Sequence, residues 1–274
     1  MFISAVILSY NSSQTLPKCL DNLIPVLESY QEKHNQSSEV FVVENGSQDG
    51  SRELLEKYRT SFPNIVKPIL FEKNTGTTYS RNAAIKKATG KYILVLDSDA
   101  YVNKDAIDEL ITYLESDAET GLAVPRLLYA SGNFQLSCDA FPTLWLKAKR
   151  FLFLKQMESK ESDLSQCVKP VAVDYAISAC WMLTKECVDN TGLLDENIFY
   201  SPEDVDYCIR VWKSGYKITY VPNAELVHDA QELSRGFKLS KFHFSHLKGL
   251  FYLFNKHRYF WTLKRLYKKM PRHI

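Results

Sequence analysis

The sequence predicts an α/β protein whose central, mostly parallel sheet is flanked by helices. Short apolar, β-branched runs alternate with longer amphipathic segments over the first hundred residues, and polar residues gather where each run ends. Continuous apolar strands separated by helices are typical of a parallel sheet that is covered on both faces. The strand ends of such a sheet share one edge, where α/β proteins bind their ligands. We therefore expect one crevice at that edge.

The first half alternates strands and helices in the order that a parallel sheet requires. The predicted strands are 2–8, 39–43, 66–71 and 92–96, and the predicted helices are 13–33, 50–59 and 79–89. Polar clusters follow the four strands at 10–11, 44–49, 74–77 and 97–99. These four clusters should line the crevice.

The second half is less regular. Its predicted helices are 105–116, 143–157 and 205–214, its predicted strands are 121–128 and 217–221, and an apolar segment and a turn are expected at 171–183 and 190–192. Gly215 fits a helix C-cap. No signal organises residues 130–170, apart from an aromatic-rich helical pattern and a polar loop at 159–165.

Charge is distributed unevenly along the chain. Residues 233–274 carry 11 Lys or Arg and no Asp or Glu, which leaves 23 basic and 32 acidic residues in the rest. The tail interleaves these bases with aromatic and aliphatic residues, a pattern typical of helices in the headgroup layer of an anionic membrane. The alternative is that the apolar stripe packs on the body of the protein. We expect packing for part of it and membrane contact for the last two dozen residues. Nucleic-acid binding is disfavoured, because no recognised fold accompanies the charge.

The cysteines and the apolar segments indicate a cytoplasmic protein. The six cysteines form no Cys-x-x-Cys pair and no zinc-type cluster, which favours reduced thiols. The apolar start is short and lacks a basic flank, so it favours a buried strand over a signal peptide. No run has the roughly 18 apolar residues of a membrane span.

Two aspartates end the strand predicted at 92–96. Asp97 and Asp99 are two residues apart, so in an extended chain both side chains point the same way and can converge on one cation. The alternative is a pair of solvated turn carboxylates. Neither GxxxxGK[ST] nor GxGxxG occurs in the chain, which disfavours P-loop and dinucleotide enzymes. Carboxylate oxygens suit Mg²⁺ or Mn²⁺, which can bridge the phosphates of a nucleoside diphosphate.

Five motifs stand in order along the chain. They are VILSYN (6–11), VVENGSQDGS (42–51), NTGTTYSRN (74–82), DSDA (97–100) and SACWMLTKECVDNTGLLDENIFYSPEDVDYCIRVWKSGYKITYVPNAELVH (178–228). Together they resemble family 2 glycosyltransferases of the GT-A fold, close to the rhamnosyltransferase-like branch of bacterial surface-polysaccharide synthesis. The resemblance covers most of residues 3–260. It implies a GT-A catalytic domain at 1–232, with a nucleotide-sugar-binding half (1–100) and an acceptor-binding half (101–232), followed by a basic, aromatic helical tail at 233–274.

The resemblance implies a donor site and a metal site. The donor-binding residues would be Tyr10, Asn11, Glu44, Asn45, Asn74, Arg81, Asp97 and Ser98. The metal, Mn²⁺ or Mg²⁺, would be held by Asp99, with Asp97 beside it and His228 added from the C-terminal side. Such enzymes usually have Asp where this chain has Glu44, so the choice of nucleobase stays open. The structural alternatives are a turn and helix cap at 44–50, a surface salt bridge for Arg81 and a purely structural role for His228.

A direct displacement at a sugar carbon also needs a base for the acceptor hydroxyl. Residues 202–206, PEDVD, supply three carboxylates at the start of a helix, where acidic side chains also cap and stabilise the helix dipole. The resemblance favours Asp204 as the base, then Glu203, then Asp206, and at least one of the three should be structural. One base and one displacement would invert the anomeric configuration.

The sequence thus predicts a metal-dependent, inverting glycosyltransferase at the inner face of the cell membrane. Its donor would be dTDP-rhamnose or, second, a UDP-sugar, and its acceptor a growing surface glycan on polyprenyl diphosphate. The irregular segment 130–170 would shape the acceptor side. Two alternatives remain: a catalytically degenerate protein that binds a glycan or scaffolds a membrane complex, and a nucleotidyltransferase. The second is disfavoured because residues 9–14 lack the glycines and bases of a nucleotidyltransferase loop.

Overall fold

The computed structural model of the protein describes residues 1–146, 163–229, 241–271 and 273. Most of the predicted helix 143–157, part of the predicted loop 159–165 and the start of the tail lie outside the described residues. The strands are β1 (Ile3–Ser9), β2 (Glu39–Asn45), β3 (Val66–Phe71), β4 (Tyr92–Asp97), β5 (Ala100–Tyr101), β6 (Thr120–Leu128), β7 (Phe134–Gln135), β8 (Cys138–Asp139), β9 (Val171–Ala172), β10 (Tyr175–Ala176), β11 (Cys180–Thr184) and β12 (Lys217–His228). The helices are α1 (Leu16–His34), α2 (Ser51–Ser61), α3 (Thr77–Ile85), α4 (Lys104–Ser116), α5 (Lys185–Thr191), α6 (Glu203–Lys213), α7 (Lys241–His257) and α8 (Lys264–Tyr267).

Most of the strands form one mixed sheet with the order β3-β2-β1-β4-β11-β6-β12-β5. Strands β3, β2, β1 and β4 are parallel, as their apolar sequences predict. Strand β11 runs antiparallel to both β4 and β6, and β12 runs parallel to β6. The α/β fold with a central sheet flanked by helices is therefore confirmed, and the reversed strand β11 separates its two parallel parts. The short strands β5, β7 and β9 also pair antiparallel with their neighbours.

The last long strand extends further than the sequence indicates. The pattern predicts a strand that ends at Val221, whereas β12 continues to His228 after a register shift between Val221 and Glu225. The proline and asparagine at this shift, Pro222 and Asn223, interrupt the apolar pattern of the sequence without ending the strand. As a result His228 pairs with Ala100 in β5, next to the two aspartates, and does not follow the strand as an isolated loop residue.

Two smaller differences concern helix ends. The turn expected at 190–192 is the end of α5, which begins after Thr184 with a side-chain N-cap and stops at Gly192 with φ of 82°. Helix α6 begins at Glu203, two residues before the predicted start. The acidic residues at 203–206 therefore lie within the first turn of a helix, where three successive carboxylates point in different directions.

The tail shares a core with the rest of the protein. The side chains that α7 and the following residues bury against the helices and the sheet are Leu250, Leu253, Phe254, Tyr259, Leu266 and Met270. Each buried apolar side chain contributes about 1.5–3 kcal/mol, so this part of the tail is integral to the fold. Within the described residues, no helix combines the length and apolarity needed to cross a bilayer.

Candidate active site

Three potential metal ligands meet where β4, β5 and β12 come together. Asp97 ends β4, Asp99 lies in the turn before β5, and His228 ends β12. The nearest ligand atoms of the three all lie within 4.8 Å of one another. The imidazole Nε2 of His228 is 3.4 Å from Asp99 Oδ1 and 3.9 Å from Asp97 Oδ2. Two carboxylates and one imidazole form a donor set that suits Mn²⁺ and is compatible with Mg²⁺.

The orientation of His228 is fixed from behind by Gln135. His228 Nδ1 lies 3.0 Å from Gln135 Oε1, so Nδ1 donates to the amide and Nε2 faces the carboxylates. Such an outer hydrogen bond is what orients histidine ligands in metal sites. Burial acts to lower the pKa of His228, but the carboxylates of Asp99 and Asp97 raise it above its ordinary value. Gln135 was not predicted, because β7 has only two residues and leaves no periodic signal.

Arg81 connects this cluster to the opposite wall of the site. The surface salt bridge considered for it is excluded, since its side chain is only 2% exposed. Its guanidinium donates to Asp97 Oδ1 and, over 2.6 Å, to Ser178 Oγ, and it lies 3.6 Å from Glu203 Oε1. Ser178, just before β11, is a second residue that sequence reasoning missed. The buried guanidinium of Arg81 thus lies between the carboxylate of Asp97 in β4 and that of Glu203 in α6.

A cavity of about 270 Å³ opens between these walls. Leu8, Thr77, Arg81, Asp97, Ile177, Ser178, Ala179, Tyr200, Ser201, Glu203 and Asp204 line it. Carboxylates therefore face one another across it, from the end of β4 and from the start of α6. A space of this kind, with convergent polar groups, is the usual form of a small-molecule site.

The three acidic residues at the start of α6 have different environments. Glu203 is buried beside Arg81 and 3.4 Å from Ser178 Oγ. Its burial, and next the charge of Asp204, raises the pKa of Glu203 to about 8. Asp204 is partly exposed on the cavity wall. Asp206 is fully buried and does not line the cavity. The three residues are therefore not equivalent candidates for one role.

Glu44 is buried at the end of β2 with one oxygen unpaired. Its Oε1 accepts from the Ser47 backbone N–H over 2.7 Å, whereas Oε2 is buried and has no hydrogen-bond partner within the described ranges. Leaving a buried acceptor unpaired costs about 1–3 kcal/mol. The turn expected at 44–50 is present, with Gly46 at φ of 76°, but turn formation uses only one of the two oxygens. The other is buried without a partner in the described part of the chain, and Glu44 has no exposed surface in this structure.

Two predicted donor residues hold neighbouring loops. Asn45 accepts from the Thr75 backbone N–H over 2.9 Å and donates to Asn74 Oδ1 over 3.2 Å. Asn11, at φ of 51°, accepts from the Gln48 backbone N–H over 2.9 Å. Their side-chain groups are thus used in joining the strand-end loops of β1, β2 and β3, which builds the rim of the crevice.

The remaining predicted donor residues lie on the same rim. Tyr10 has 45% of its surface exposed, so its ring is accessible to a planar ligand. Ser98, between the two aspartates, forms a 2.9 Å hydrogen bond with Ser12 Oγ. This contact connects the turn of the metal-ligand cluster to the loop after β1.

Comparisons with known proteins show the family and the fold. Residues 4–186 match the family described as Glycosyl transferase family 2. Glycosyltransferase AglE of Haloferax volcanii is 23% identical over 244 residues, which are 88% of this chain and 72% of that protein. Among solved structures, GalNAc-T7 with UDP, GalNAc and Mn²⁺ has a TM-score of 0.68 at 18% identity, over 93% of this chain and 48% of that one.

A mannosyltransferase from Pyrobaculum calidifontis, solved with GDP-Man and Mn²⁺, has a TM-score of 0.59 at 17% identity, over 86% of this chain and 58% of that one. The chain thus spans about half the length of these two structural relatives. At such identities the structural similarity concerns the fold. The two structures hold different nucleotides, UDP and GDP-Man, so fold similarity does not select one.

Proposed function

The chain belongs to glycosyl transferase family 2, and on that premise we propose that it moves one sugar from a nucleoside diphosphate donor to a glycan acceptor with inversion at the anomeric carbon. The observation that carries the proposal is the meeting of Asp97, Asp99 and His228 in one cluster. Asp97 of this cluster forms one wall of a cavity that Asp204 also lines, from the start of α6. Residues 1–100 would bind the donor, and residues 101–232 would bind the acceptor.

The residues of the first wall would hold the diphosphate. A divalent cation held by Asp99, Asp97 and His228 would neutralise the charge that the leaving nucleoside diphosphate gains. Arg81 has a different role, because it is buried and engaged with Asp97. It would keep that carboxylate in the orientation that the metal site needs. Positioned charges of this kind cost no reorganisation during the reaction.

The opposite wall would supply the base. The acceptor hydroxyl oxygen would attack the anomeric carbon as its bond to the diphosphate breaks, and Asp204 would take the hydroxyl proton. Glu203 is less suited, since it is buried and engaged with Arg81 and Ser178, and burial and the charge of Asp204 raise its pKa. Asp206 is excluded by its burial away from the cavity. Asp204 is thus the carboxylate that combines a place on the cavity wall with partial exposure.

The unpaired oxygen of Glu44 would favour certain nucleobases once donor binding uncovers this buried carboxylate. A carboxylate oxygen pairs with a ring N–H, which uracil, thymine and guanine carry on their pairing edge and which adenine and cytosine lack. We infer a donor from the first group, with dTDP-rhamnose the first candidate from the sequence resemblance and a UDP-sugar the second. The exposed ring of Tyr10 lies after the neighbouring strand β1, where a base could stack on it.

The first test is thermal stabilisation of the protein by UDP, dTDP, GDP, ADP and CDP, each with and without Mn²⁺ or Mg²⁺. A ligand at 100 times its Kd adds about 2.7 kcal/mol to the unfolding free energy. We expect a metal-dependent rise in Tm with at least one of the first three and none with ADP or CDP. Absence of any shift would favour a scaffold protein that has lost donor binding.

Replacing Asp99 by asparagine should remove the metal dependence of that shift. The amide keeps the size of the side chain but supplies no negative charge, so the cation would be bound more weakly. Nucleotide titrations with Mn²⁺, followed by calorimetry, measure this effect, and we expect affinity to fall at least tenfold. Asp229→Asn is the matched control, because Asp229 follows β12 nearby but is not part of the ligand cluster. Unchanged affinity in Asp99→Asn would refute the metal assignment.

The acceptor is proposed to be a surface glycan carried on polyprenyl diphosphate, which requires access to the inner face of the cell membrane. The tail exposes the apolar side chains of Leu247, Phe251 and Trp261. Trp145 is also exposed, and it lies near the tail because the backbone N–H of the preceding residue, Leu144, donates to the Phe260 carbonyl over 2.9 Å. Exposed basic residues accompany them at Lys248, Arg258, Lys264, Arg265 and Lys268. This combination suits the headgroup layer of an anionic bilayer.

A double substitution, Phe251→Ser with Trp261→Ser, should weaken binding to anionic vesicles. Each side chain contributes about 1.5–3 kcal/mol when its apolar surface leaves water, so we expect at least a tenfold lower fraction bound. Co-sedimentation with phosphatidylglycerol vesicles measures it, with neutral phosphatidylcholine vesicles as a second surface. Val168→Ser, an exposed apolar residue outside the tail, is the matched control. Equal binding by the double variant and the unaltered protein would contradict membrane contact at this surface.

A further inference from the structure

The inner face of α7 lies directly against the segment that carries the proposed base. Gly249 of α7 is buried at the backbone of Ser201 and Pro202, immediately before Glu203. A β-carbon at Gly249 would overlap the Ser201 carbonyl oxygen and lie 2.8 Å from Pro202 Cδ. Only glycine allows the helix and this backbone to approach so closely.

A second contact joins the same helix to the rim of the cavity. His246, one turn before Gly249 on α7, has its Nδ1 2.9 Å from Ser201 Oγ. Ser201 in turn lines the cavity beside Glu203 and Asp204. The helix therefore contacts the cavity wall through a side chain as well as through its backbone.

The third contact is an ionic cluster around Asp206. Lys256 Nζ and His257 Nε2, at the end of α7, lie 2.6 Å and 2.8 Å from Asp206 Oδ1, and Arg210 Nε lies 2.9 Å from Oδ2. On its other side, His257 Nδ1 lies 2.7 Å from Lys213 Nζ. Burial lowers the pKa of His257, so the neutral ring donates to Asp206 and accepts from the lysine. Asp206 thus ties α7 to the first turn of α6.

From these three contacts we propose that α7 is a positioning element for the catalytic step. It fixes residues 201–206 from behind, so that Asp204 faces the cavity while Asp206 is held on the other side of the same helical turn. The inference rests on the proposed function. It extends the catalytic machinery to α7, a helix that begins more than 30 residues after Asp204. Gly249 and His246 are positioning residues here, since neither lines the cavity.

The donor wall should be insensitive to α7. Asp97, Asp99, His228 and Glu44 lie on strand ends, and their hydrogen bonds and ion pairs described above involve no residue of α7. A disturbance of α7 should therefore reduce transfer and leave nucleotide binding intact. A general loss of structure would reduce both.

Gly249→Ala tests the proposal. Alanine normally stabilises a helix relative to glycine, so a harmful effect would come from the contact with Ser201 and Pro202. We expect kcat to fall at least tenfold, with the Kd of UDP or dTDP in the presence of Mn²⁺ unchanged within twofold. Hydrogen–deuterium exchange should become faster at the start of α6 and stay the same in β4. Asn255→Ala, on the exposed side of α7, is the control and should leave kcat, Kd and exchange unchanged.

His246 supplies the second variant, in case Gly249→Ala does not fold. His246→Ala should lower kcat at least threefold, and His246→Gln, which can still hydrogen-bond to Ser201, should restore most of it. Normal kcat and exchange in both Gly249→Ala and His246→Ala would overturn the positioning role. If the unaltered protein transfers no sugar, the proposed function fails, whereas the exchange measurement still decides whether α7 holds the start of α6.

Discussion

Asp204→Asn should lower the rate of sugar transfer by about 10²–10⁴-fold, the usual contribution of a general base. The amide preserves the size of the side chain but cannot accept the acceptor proton. Donor binding and the melting temperature should be unchanged, because Asp204 is partly exposed and is not one of the three residues of the metal-ligand cluster. Single-turnover transfer with a saturating donor, together with nucleotide titration, measures both effects.

Glu203→Gln is the comparison for this experiment. Glu203 is buried and contacts Arg81, and burial together with the charge of Asp204 raises its pKa, so the neutral amide should be tolerated better than the same change at Asp204. Near-normal turnover in Asp204→Asn, with a large loss in Glu203→Gln, would transfer the role of base to Glu203. A product of retained anomeric configuration would reject a single displacement altogether.

Asp206→Asn should destabilise the protein by about 3–5 kcal/mol, the typical cost of removing one partner of a buried ion pair. The carboxylate is fully buried and contacts Arg210, Lys256 and His257, so its loss leaves positive charge uncompensated. For a chain of this length that corresponds to a fall in Tm on the order of 10 °C. Thermal unfolding followed by circular dichroism measures it.

The dependence of this effect on pH has a definite sign. Burial acts to raise the pKa of Asp206. The hydrogen bond from His257 and the positive charges of Arg210 and Lys256 outweigh burial and lower this pKa below its ordinary value. A carboxyl whose pKa is lower in the folded state contributes stability above the unfolded-state pKa and loses it as the pH falls. Asp206→Asn should therefore cost more stability at neutral pH than in acid. Asp204→Asn is the matched control, and an equal loss of Tm in both variants would contradict the division of roles.

The first half of the fold and the two aspartates could be predicted because their signals are local. Four apolar strands have distinct ends, and Asp97 and Asp99 stand where the last of these strands stops. The extended chain assumed for the pair is not what the structure has, since Asp99 lies in the turn after β4, where it still meets Asp97. His228 was associated with the site by family resemblance. The strand that brings it there was predicted too short, because the interruption after Val221 obscures the pattern.

The remaining site residues depend on tertiary contacts that no periodicity encodes. Ser178 and Gln135 are single polar residues next to short strands, and only the sheet order brings them to Arg81 and His228. For the tail, too, the sequence could not predict which side chains are buried. Its apolar stripe is visible in the sequence, but the burial of Leu253 and the exposure of Phe251 follow from where α7 docks.

Strand β11, the reversed strand between the two parallel parts of the sheet, also bears on how the metal-ligand cluster is held together. It pairs with β4 on one side and β6 on the other, and Ala179, just before it, accepts from the Asp97 backbone N–H over 2.9 Å. The metal-ligand cluster therefore spans this five-residue strand, because Asp97 ends β4 on one side of it and His228 ends β12, beyond β6, on the other. A substitution that changed the pairing of β11 with either neighbour would change the distance between these two side chains, so the sheet order itself sets the spacing of the cluster.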